Sequence, residues 1–260
     1  MTYKTFLSSG TQQETEKAGD PDLPTLRPFL TASWLNLAMA NYEVPPSLLQ
    51  PFTPLKTELD FFNGICYTSL IAFRFRNTRI RGVAVPLHTN FEEINLRFYV
   101  RYKERNVWKR GVVFIKEIVP RAAISFIANT FYQERYETMP TRSEIKRLPE
   151  SLSVKYLWGK KHSNEITVDA HPIPHPVITG SIEEFITEHY WGYAQQKDNT
   201  TKEYKVDHPQ WNVHTVNNYN IVCDFGKLYG PAFSILQQMQ PLSVLLAQGS
   251  AVTIYNGKKI

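Results

Sequence analysis

The sequence predicts a mainly β fold of the β-rich α+β class, built on an antiparallel sheet. Residues 86–100, PLHTNFEEINLRFYV, alternate with the period of two that is typical of a strand. A second apolar stretch, GVVFIKEIV at 111–119, follows after a short polar connection, which favours a hairpin. An Asn63-Gly64 turn signal divides residues 58–81 into two further strands.

Before these strands, residues 1–24 contain few large apolar side chains and many Ser, Thr, Gln, Glu and Gly residues. Burial cannot offset the entropy lost on ordering such a segment. We therefore predict a flexible N-terminal tail over 1–24 and a single domain over 25–260. Within that domain, four prolines between 45 and 54 leave room for one helical turn at 47–50.

The second half of the chain mixes short strands with helices. Residues 120–136 have the apolar spacing of a helix, and we expect this helix to cap the sheet. Strands are expected at 153–159 and 165–170, and a helix at 181–190, where Ser181 and Glu184 form a capping box. A further helix is expected over 225–239. The last apolar stretch, up to Tyr255, predicts a buried strand that closes the sheet.

Composition limits the classes of protein to consider. The 260 residues are 42% hydrophobic and hold 2 cysteines, and no apolar run approaches the ~20 residues of a membrane-spanning helix. The N-terminus lacks the pattern of a secretion signal. We therefore expect a cytoplasmic protein that does not partner a membrane. The net charge of +5 is modest for this length, so nucleic acid is not an expected partner either.

One face of the strand at 86–100 carries chemically active side chains. Glu93, Asn95, Arg97 and Tyr99 point one way, and Ile94, Leu96, Phe98 and Val100 point the other. The pattern alone fits a polar face exposed to solvent, which antiparallel sheets commonly have. The same face turned into a cavity would be a ligand site, and the residues by themselves leave that choice open.

Several separated motifs recur in the order typical of one family. They are NYEV at 41–44, FNGICYTSLIAF at 62–73, PLHTNFEEINLRFYV at 86–100, GVVF at 111–114, WGYA at 191–194, VDHPQW at 206–211, DFGKLYG at 224–230 and PLSVLLAQGS at 241–250. On these motifs the chain resembles the YqjF-like family of bacterial proteins of unknown function. That family in turn resembles acetoacetate decarboxylase in fold, which implies a cone-shaped, barrel-like antiparallel sheet with a small-ligand cavity over 25–260.

The resemblance places the polar face inside the cavity. There we expect Arg97 to pair with Glu93 and to receive a ligand carboxylate or carbonyl, while Glu93 acts as base, acid or orienting acceptor. These two are the candidate catalytic residues. The candidate ligand-binding residues are His88, Asn95, Tyr99, Tyr132, Gln133 and Arg135, the last three standing where the decarboxylase has its nucleophile. No lysine occurs in this stretch, so the resemblance does not carry over Schiff-base decarboxylase chemistry.

Other chemical sites receive less support from the residues. The histidines at 162, 171, 175, 208 and 214 lack the spacing of a zinc site, so we expect no metal and no cofactor. His88 fits a loop histidine bonded to backbone. Lys116 alternates with Val112 and Phe114 and could be a buried amine, but a strand lysine that extends to solvent is commoner.

Three classes of function stay open at this point. The first is a protein that binds a small carboxylate- or carbonyl-bearing molecule in an internal cavity. If it is an enzyme, we expect a lyase or hydrolase that acts on a small carbonyl compound. The second is a non-catalytic interaction module, and the third a nucleic-acid binder, which ranks last. The sequence does not decide the oligomeric state, a homo-oligomer included.

Overall fold

A computed structural model describes residues 27–120 and 135–260. The predicted tail at 1–24 and nearly all of the helix predicted at 120–136 lie outside the described residues. The mainly β class is confirmed, since most of the described chain forms strands of two sheets.

The main path of the larger sheet consists of nine strands in the described part of the chain. In hydrogen-bonded order they are β14 (Val213–His214), β16 (Ser243–Tyr255), β1 (Pro28–Glu43), β4 (Ile65–Ile80), β6 (Phe91–Glu104), β7 (Val107–Val119), β12 (Trp191–Gln195), β13 (Thr201–Asp207) and β17 (Lys258–Lys259). Short strands extend it: β2 (Thr57–Leu59) pairs with β6, β3 (Phe61–Phe62) and β5 (Val83–Ala84) pair with β4, and β8 (Tyr136–Thr138) pairs with β7.

The path of paired strands returns on itself. β13 pairs with β16 at Val206 and Ile254, so the strand predicted to close the sheet does so. Most strand pairings are antiparallel, as predicted, and two are parallel, β7 with β12 and β7 with β8. Between β7 and β12 the chain leaves the large sheet and forms part of the second sheet. This long connection brings the chain back to the end of the large sheet at which β7 begins, as a parallel neighbouring strand requires.

The smaller sheet has the order β15 (Val216–Val222), β11 (Asn164–Ala170), β10 (Leu152–Trp158) and β9 (Thr141–Arg147). It covers one face of the large sheet, where Leu96 and Phe98 of β6 share a buried core with Tyr156 and Trp158. The opposite face of β6 is also buried, with Tyr99 in a second core. Both faces of β6 are therefore inside the protein, and the solvent-exposed alternative for its polar face is excluded.

Within residues 27–120 and 135–260 the helices are short. They are α1 (Pro46–Leu49), α2 (Ile182–Thr187) and α3 (Phe225–Tyr229), with 3₁₀ turns at Gln50–Phe52, Lys160–His162 and Pro231–Gln238. The N-cap of α2 is as predicted, since the Ser181 hydroxyl accepts from the Glu184 N–H at 3.2 Å. The single helix predicted over 225–239 was wrong. Gly230 has a φ of 110° and precedes a proline, so the chain ends α3 and starts again as a 3₁₀ turn.

The hairpin at Asn63-Gly64 is confirmed. Both residues have positive φ, 51° and 79°, as a type I′ turn between β3 and β4 requires. This turn starts β4, which pairs with β6 from Thr68 to Phe75 and sets the register of the polar strand.

Candidate functional site

A cavity of about 120 Å³ lies against the polar face of β6. Its apolar wall is largely aromatic and includes Trp34, Phe73, Phe75, Phe91 and Trp211. Phe75 and Phe91 stack with ring centres 4.5 Å apart. The polar residues that line it include Glu93, Asn95, Arg97, Glu117, Tyr136 and His189. An aromatic wall with a few convergent polar groups is the usual make-up of a small-molecule site.

Of the four residues on the polar face of β6, namely Glu93, Asn95, Arg97 and Tyr99, three line this cavity. Glu93, Asn95 and Arg97 are 3%, 2% and 9% exposed, and all three line it. Oε1 of Glu93 accepts a 3.1 Å hydrogen bond from Nδ2 of Asn95, and Oε2 accepts one of 3.4 Å from the Tyr136 hydroxyl. The Asn95 carbonyl oxygen is buried and has no hydrogen-bond partner among the described residues.

Tyr99, the fourth residue of that face, lies deeper than the cavity wall. Its hydroxyl is 2.7 Å from the Ser69 hydroxyl, which in turn donates to Asn41 at 2.6 Å. Its ring lies beneath the Arg97 guanidinium, 5.6 Å from ring centre to Cζ. The structure thus places Tyr99 as a support for Arg97 rather than as a wall of the cavity.

Arg97 carries its charge into the cavity without a carboxylate partner. Its Nη2 donates to the Ile186 carbonyl at 3.1 Å, and its Nε is buried without an acceptor. In the described part of the chain, no Asp or Glu oxygen lies within 4.0 Å of it. The expected Glu93–Arg97 pair was therefore wrong. Asn95 stands between the two side chains and hydrogen-bonds the Glu93 carboxylate instead.

Sequence reasoning missed Glu117, which is 2% exposed and lines the cavity opposite Asn95. A β-bulge explains the omission. In β7 the partner of Leu96 is Lys116 but the partner of Arg97 is Phe114, so Ile115 is an extra residue. The bulge reverses the alternation, which puts Phe114 and Glu117 on the cavity side. Lys116 instead reaches Glu137, at 2.7 Å, as a partly exposed ion pair.

A second missed group is His189, which follows α2 and lines the cavity. Its Nε2 lies 3.3 Å from Oδ2 of Asp60, an oxygen that also accepts from Nε of Arg110 at 2.7 Å. Burial lowers the pKa of His189 to about 4, although Asp60 opposes this shift. Burial acts to raise the pKa of Asp60, but hydrogen bonds from His189 and Arg110 outweigh it and hold that pKa below its usual value.

His189 and Asp60 are 129 residues apart in the chain, so no local motif announces their contact. The ring of His189 packs against Tyr99 and Phe185, with ring centres at 4.7 Å and 5.1 Å. One ring nitrogen of this neutral imidazole is bonded to a carboxylate, and the other is buried without a hydrogen-bond partner among the described residues. Such a ring is suited to accepting a proton or a hydrogen bond.

The remaining candidates divide into three groups. His88 lines the cavity and its Nδ1 lies 2.7 Å from the Pro86 carbonyl oxygen, so it is a loop histidine at the cavity wall. Arg135 is exposed and lies over the Phe52 ring at 5.6 Å, away from the cavity lining. Tyr132 and Gln133 lie outside the described residues.

No metal cluster is found within residues 27–120 and 135–260, where no three His, Cys, Asp or Glu side chains are placed to share an ion. The same ranges contain no helix of the length and hydropathy needed to span a membrane.

The model of the DUF2071 family, described as an uncharacterized conserved protein, matches residues 31–251. The chain is 28% identical over 188 residues to the uncharacterized protein YqjF of Bacillus subtilis (strain 168), which covers 70% of this chain and 74% of that protein.

Solved structures show the same fold at low identity. Acetoacetate decarboxylase from Legionella pneumophila subsp. pneumophila str. Philadelphia 1 is 14% identical, with a TM-score of 0.60 over 98% of both chains. The enduracididine biosynthesis enzyme MppR complexed with pyruvate is 12% identical, with a TM-score of 0.61 over 93% of both chains. The predicted fold resemblance to acetoacetate decarboxylase is thereby confirmed.

Proposed function

The chain belongs to the DUF2071 family, whose members are described as uncharacterized conserved proteins, and from the geometry of its cavity we propose that it binds a small carboxylate-bearing molecule there, with Arg97 as the group that receives the carboxylate. The single observation that carries this proposal is the state of Arg97. It is a buried guanidinium with a free Nε and no carboxylate within ion-pair distance among the described residues.

A buried charge of this kind is costly for the folded protein. Buried Arg side chains are normally paired and fully hydrogen-bonded, because desolvation of the guanidinium costs several kcal/mol. One backbone carbonyl, from Ile186, does not neutralise the charge. A ligand carboxylate would, since the guanidinium presents N–H groups in a fork that matches two carboxylate oxygens. A site that binds an anion accounts for the unpaired charge better than a structural role does.

The cavity wall defines the rest of the ligand. Trp34, Phe73 and Phe91 contribute apolar surface to the cavity, so a hydrocarbon or aromatic portion of the ligand fits against them. The polar residues that line the same cavity include two buried glutamates, Glu93 and Glu117. Glu93 is the candidate acid, base or orienting acceptor if the bound molecule reacts, and a lyase or hydrolase reaction on a small carbonyl compound is the class we favour.

Decarboxylation through a Schiff base has no support in these residues. No lysine is found in the described lining of the cavity, and the sequence contains none between 121 and 134. A Schiff base needs an amine nucleophile beside the substrate carbonyl. Because MppR is described in complex with pyruvate, pyruvate is a reasonable first probe for binding here without implying the same reaction.

A thermal-shift screen of small carboxylates, pyruvate included, tests the proposal. It compares wild type with Arg97→Gln and with Arg101→Gln. Arg101 is the matched control, because it lies on the same strand but pairs with Glu58 at the surface. A ligand at about a hundred times its Kd adds about 2.7 kcal/mol to stability, which is easily measured.

We expect at least one acid to raise the melting temperature of wild type and of Arg101→Gln, but not of Arg97→Gln. Equal stabilisation of all three proteins would place the acid elsewhere and contradict the proposal. No stabilisation of wild type by any carboxylate would also contradict it, and would leave the non-catalytic interaction module as the better hypothesis.

A further inference from the structure

The hydrogen-bonding state of His189 follows from its contact with Asp60. The Asp60 carboxylate is ionised and accepts from both Arg110 and His189, so Nε2 of His189 must carry the hydrogen of that bond. Burial keeps the ring neutral, and a neutral imidazole has only one N–H. The other ring nitrogen, Nδ1, is therefore a lone-pair acceptor.

This acceptor is unused in the described part of the protein. The His189 side chain is 1% exposed, and its Nδ1 is buried without a hydrogen-bond partner among the described residues. A buried polar atom left without a partner costs roughly 1–3 kcal/mol. The cost would be recovered by a ligand that brings a hydrogen-bond donor to this side of the cavity.

The two unsatisfied groups of the cavity lie against the same aromatic ring. The Arg97 Cζ and the His189 ring centre lie 5.6 Å and 4.7 Å from the centre of the same Tyr99 ring. Arg97 also hydrogen-bonds Ile186, in the turn of helix that leads to His189. Arg97 has an N–H without an acceptor and His189 has an acceptor nitrogen without a donor, so a molecule that satisfies both must carry an anionic group and a hydrogen-bond donor.

We propose that the ligand is a small hydroxy acid whose carboxylate lies on Arg97 and whose hydroxyl, on the second or third carbon, donates a hydrogen bond to Nδ1 of His189. This inference rests on the proposed function and adds the substrate class. His189 is the residue that determines specificity, and Asp60 is a positioning residue that fixes the tautomer of the ring. The aromatic wall receives the hydrocarbon end of the acid.

Matched acids separate the hydroxyl from the carboxylate. Lactate and 3-phenyllactate carry both groups, their O-methyl ethers keep the oxygen but lose the donor, and propionate and 3-phenylpropionate lack the oxygen. Affinities for wild type are measured by isothermal titration calorimetry. A site built around a hydrogen-bonded hydroxyl rejects analogues that lack the donor, and we expect binding of the ethers to be weaker by about tenfold or more.

Two substitutions of His189 make the assignment specific. In His189→Gln the side-chain amide can still donate to Asp60 in the place of Nε2, but the acceptor at Nδ1 is gone. In His189→Asn a carbonyl oxygen can stand in the place of Nδ1. We expect the preference for hydroxy acids over their ethers to vanish in His189→Gln and to return in part in His189→Asn, with little change for propionate in either variant.

The possible failures are distinguishable. If wild type binds hydroxy acids, ethers and plain acids equally, or if the preference survives in His189→Gln, the inference is wrong while the proposed function stands. If wild type binds none of these acids, the inference is wrong, and the wider screen of carboxylates decides whether the proposed function is wrong as well. Should His189→Gln fail to fold, the comparison of acid with ether in wild type and in His189→Asn still decides the question.

Discussion

Nδ2 of Asn95 donates a 3.1 Å hydrogen bond to Oε1 of Glu93, and Asn95 stands between that carboxylate and Arg97 on the same strand face. Both ionisable side chains are buried, yet no ion pair joins them among the described contacts. The Arg97 guanidinium therefore keeps an N–H that can bind a ligand carboxylate. This separation of charges is the structural basis of the proposed anion site.

Arg97→Met tests the cost of that unpaired charge. Replacing a poorly compensated buried charge by an apolar side chain of similar length removes the desolvation penalty, so we expect the free energy of unfolding without ligand to rise by about 1 kcal/mol. Urea denaturation measures it. Arg101→Met, at an exposed ion pair, should change stability by no more than about 0.5 kcal/mol. A loss of more than about 1 kcal/mol in Arg97→Met would show that Arg97 is already well paired.

The pH dependence of stability reports on His189. Burial lowers its folded pKa from 6.5 to about 4, so between these values the unfolded chain binds a proton that the folded protein excludes. Stability is complete above pH 6.5 and falls as the pH drops toward 4. From pH 7 to pH 4.5 we expect His189 to account for a loss of roughly 2 kcal/mol.

Comparing wild type with His189→Gln by denaturant unfolding at both pH values isolates this contribution. Burial also lowers the pKa values of His208 and His214, so the variant should keep part of the pH dependence but show a smaller loss. Asp60, with a lowered pKa, affects stability only at still lower pH. An identical loss in both proteins would mean that His189 is not the neutral buried group described here.

The alternation of β6 was readable from the sequence because a strand places successive side chains on opposite faces. It correctly grouped Glu93, Asn95 and Arg97, and the family resemblance correctly turned that face inward. The alternation of side chains could not predict the positions of Glu117 and His189. Glu117 reaches the cavity only because Ile115 is a bulge residue, and His189 meets Asp60 across 129 positions.

The Glu93–Arg97 pairing was wrong for a related reason. Glu93 and Arg97 are four residues apart on one strand face, and Asn95, which stands between them on the same strand, takes the hydrogen bond of the carboxylate. Spacing along a strand does not rank hydrogen-bond partners. The break at Gly230 was also missed, although the glycine and the following proline are visible in the sequence and together disfavour a continuous helix.

Trapping with borohydride tests the absence of Schiff-base chemistry. We expect no covalent mass increase when the protein is incubated with pyruvate and sodium borohydride, because no lysine is found in the described cavity lining. Intact-protein mass spectrometry measures the outcome. A stoichiometric adduct that peptide mapping places on a cavity residue would contradict the assignment. Lys116→Ala is the control for reaction at a partly exposed amine.

Gly111→Ala tests how the large sheet closes. Gly111 pairs with Trp191 where β7 meets β12, and a Cβ there would lie 2.5 Å from the Trp191 carbonyl oxygen, which is backbone and cannot move aside easily. We expect a loss of about 2 kcal/mol or more in the free energy of unfolding. Gly226→Ala, where the nearest atom would lie 3.1 Å away, should cost less. Equal, small losses would show that the β7–β12 contact is not needed for stability.

The most direct measurement of the central claim is the NMR signal of the Arg97 side-chain Nε–H during titration with lactate. In the free protein this N–H is buried and has no acceptor among the described residues, so its hydrogen should bond to the bound carboxylate. We predict a saturable downfield shift of the Arg97 signal, while the Arg101 signal stays in place. Saturable lactate binding with an unchanged Arg97 signal would contradict the assignment of Arg97 as the carboxylate-binding group.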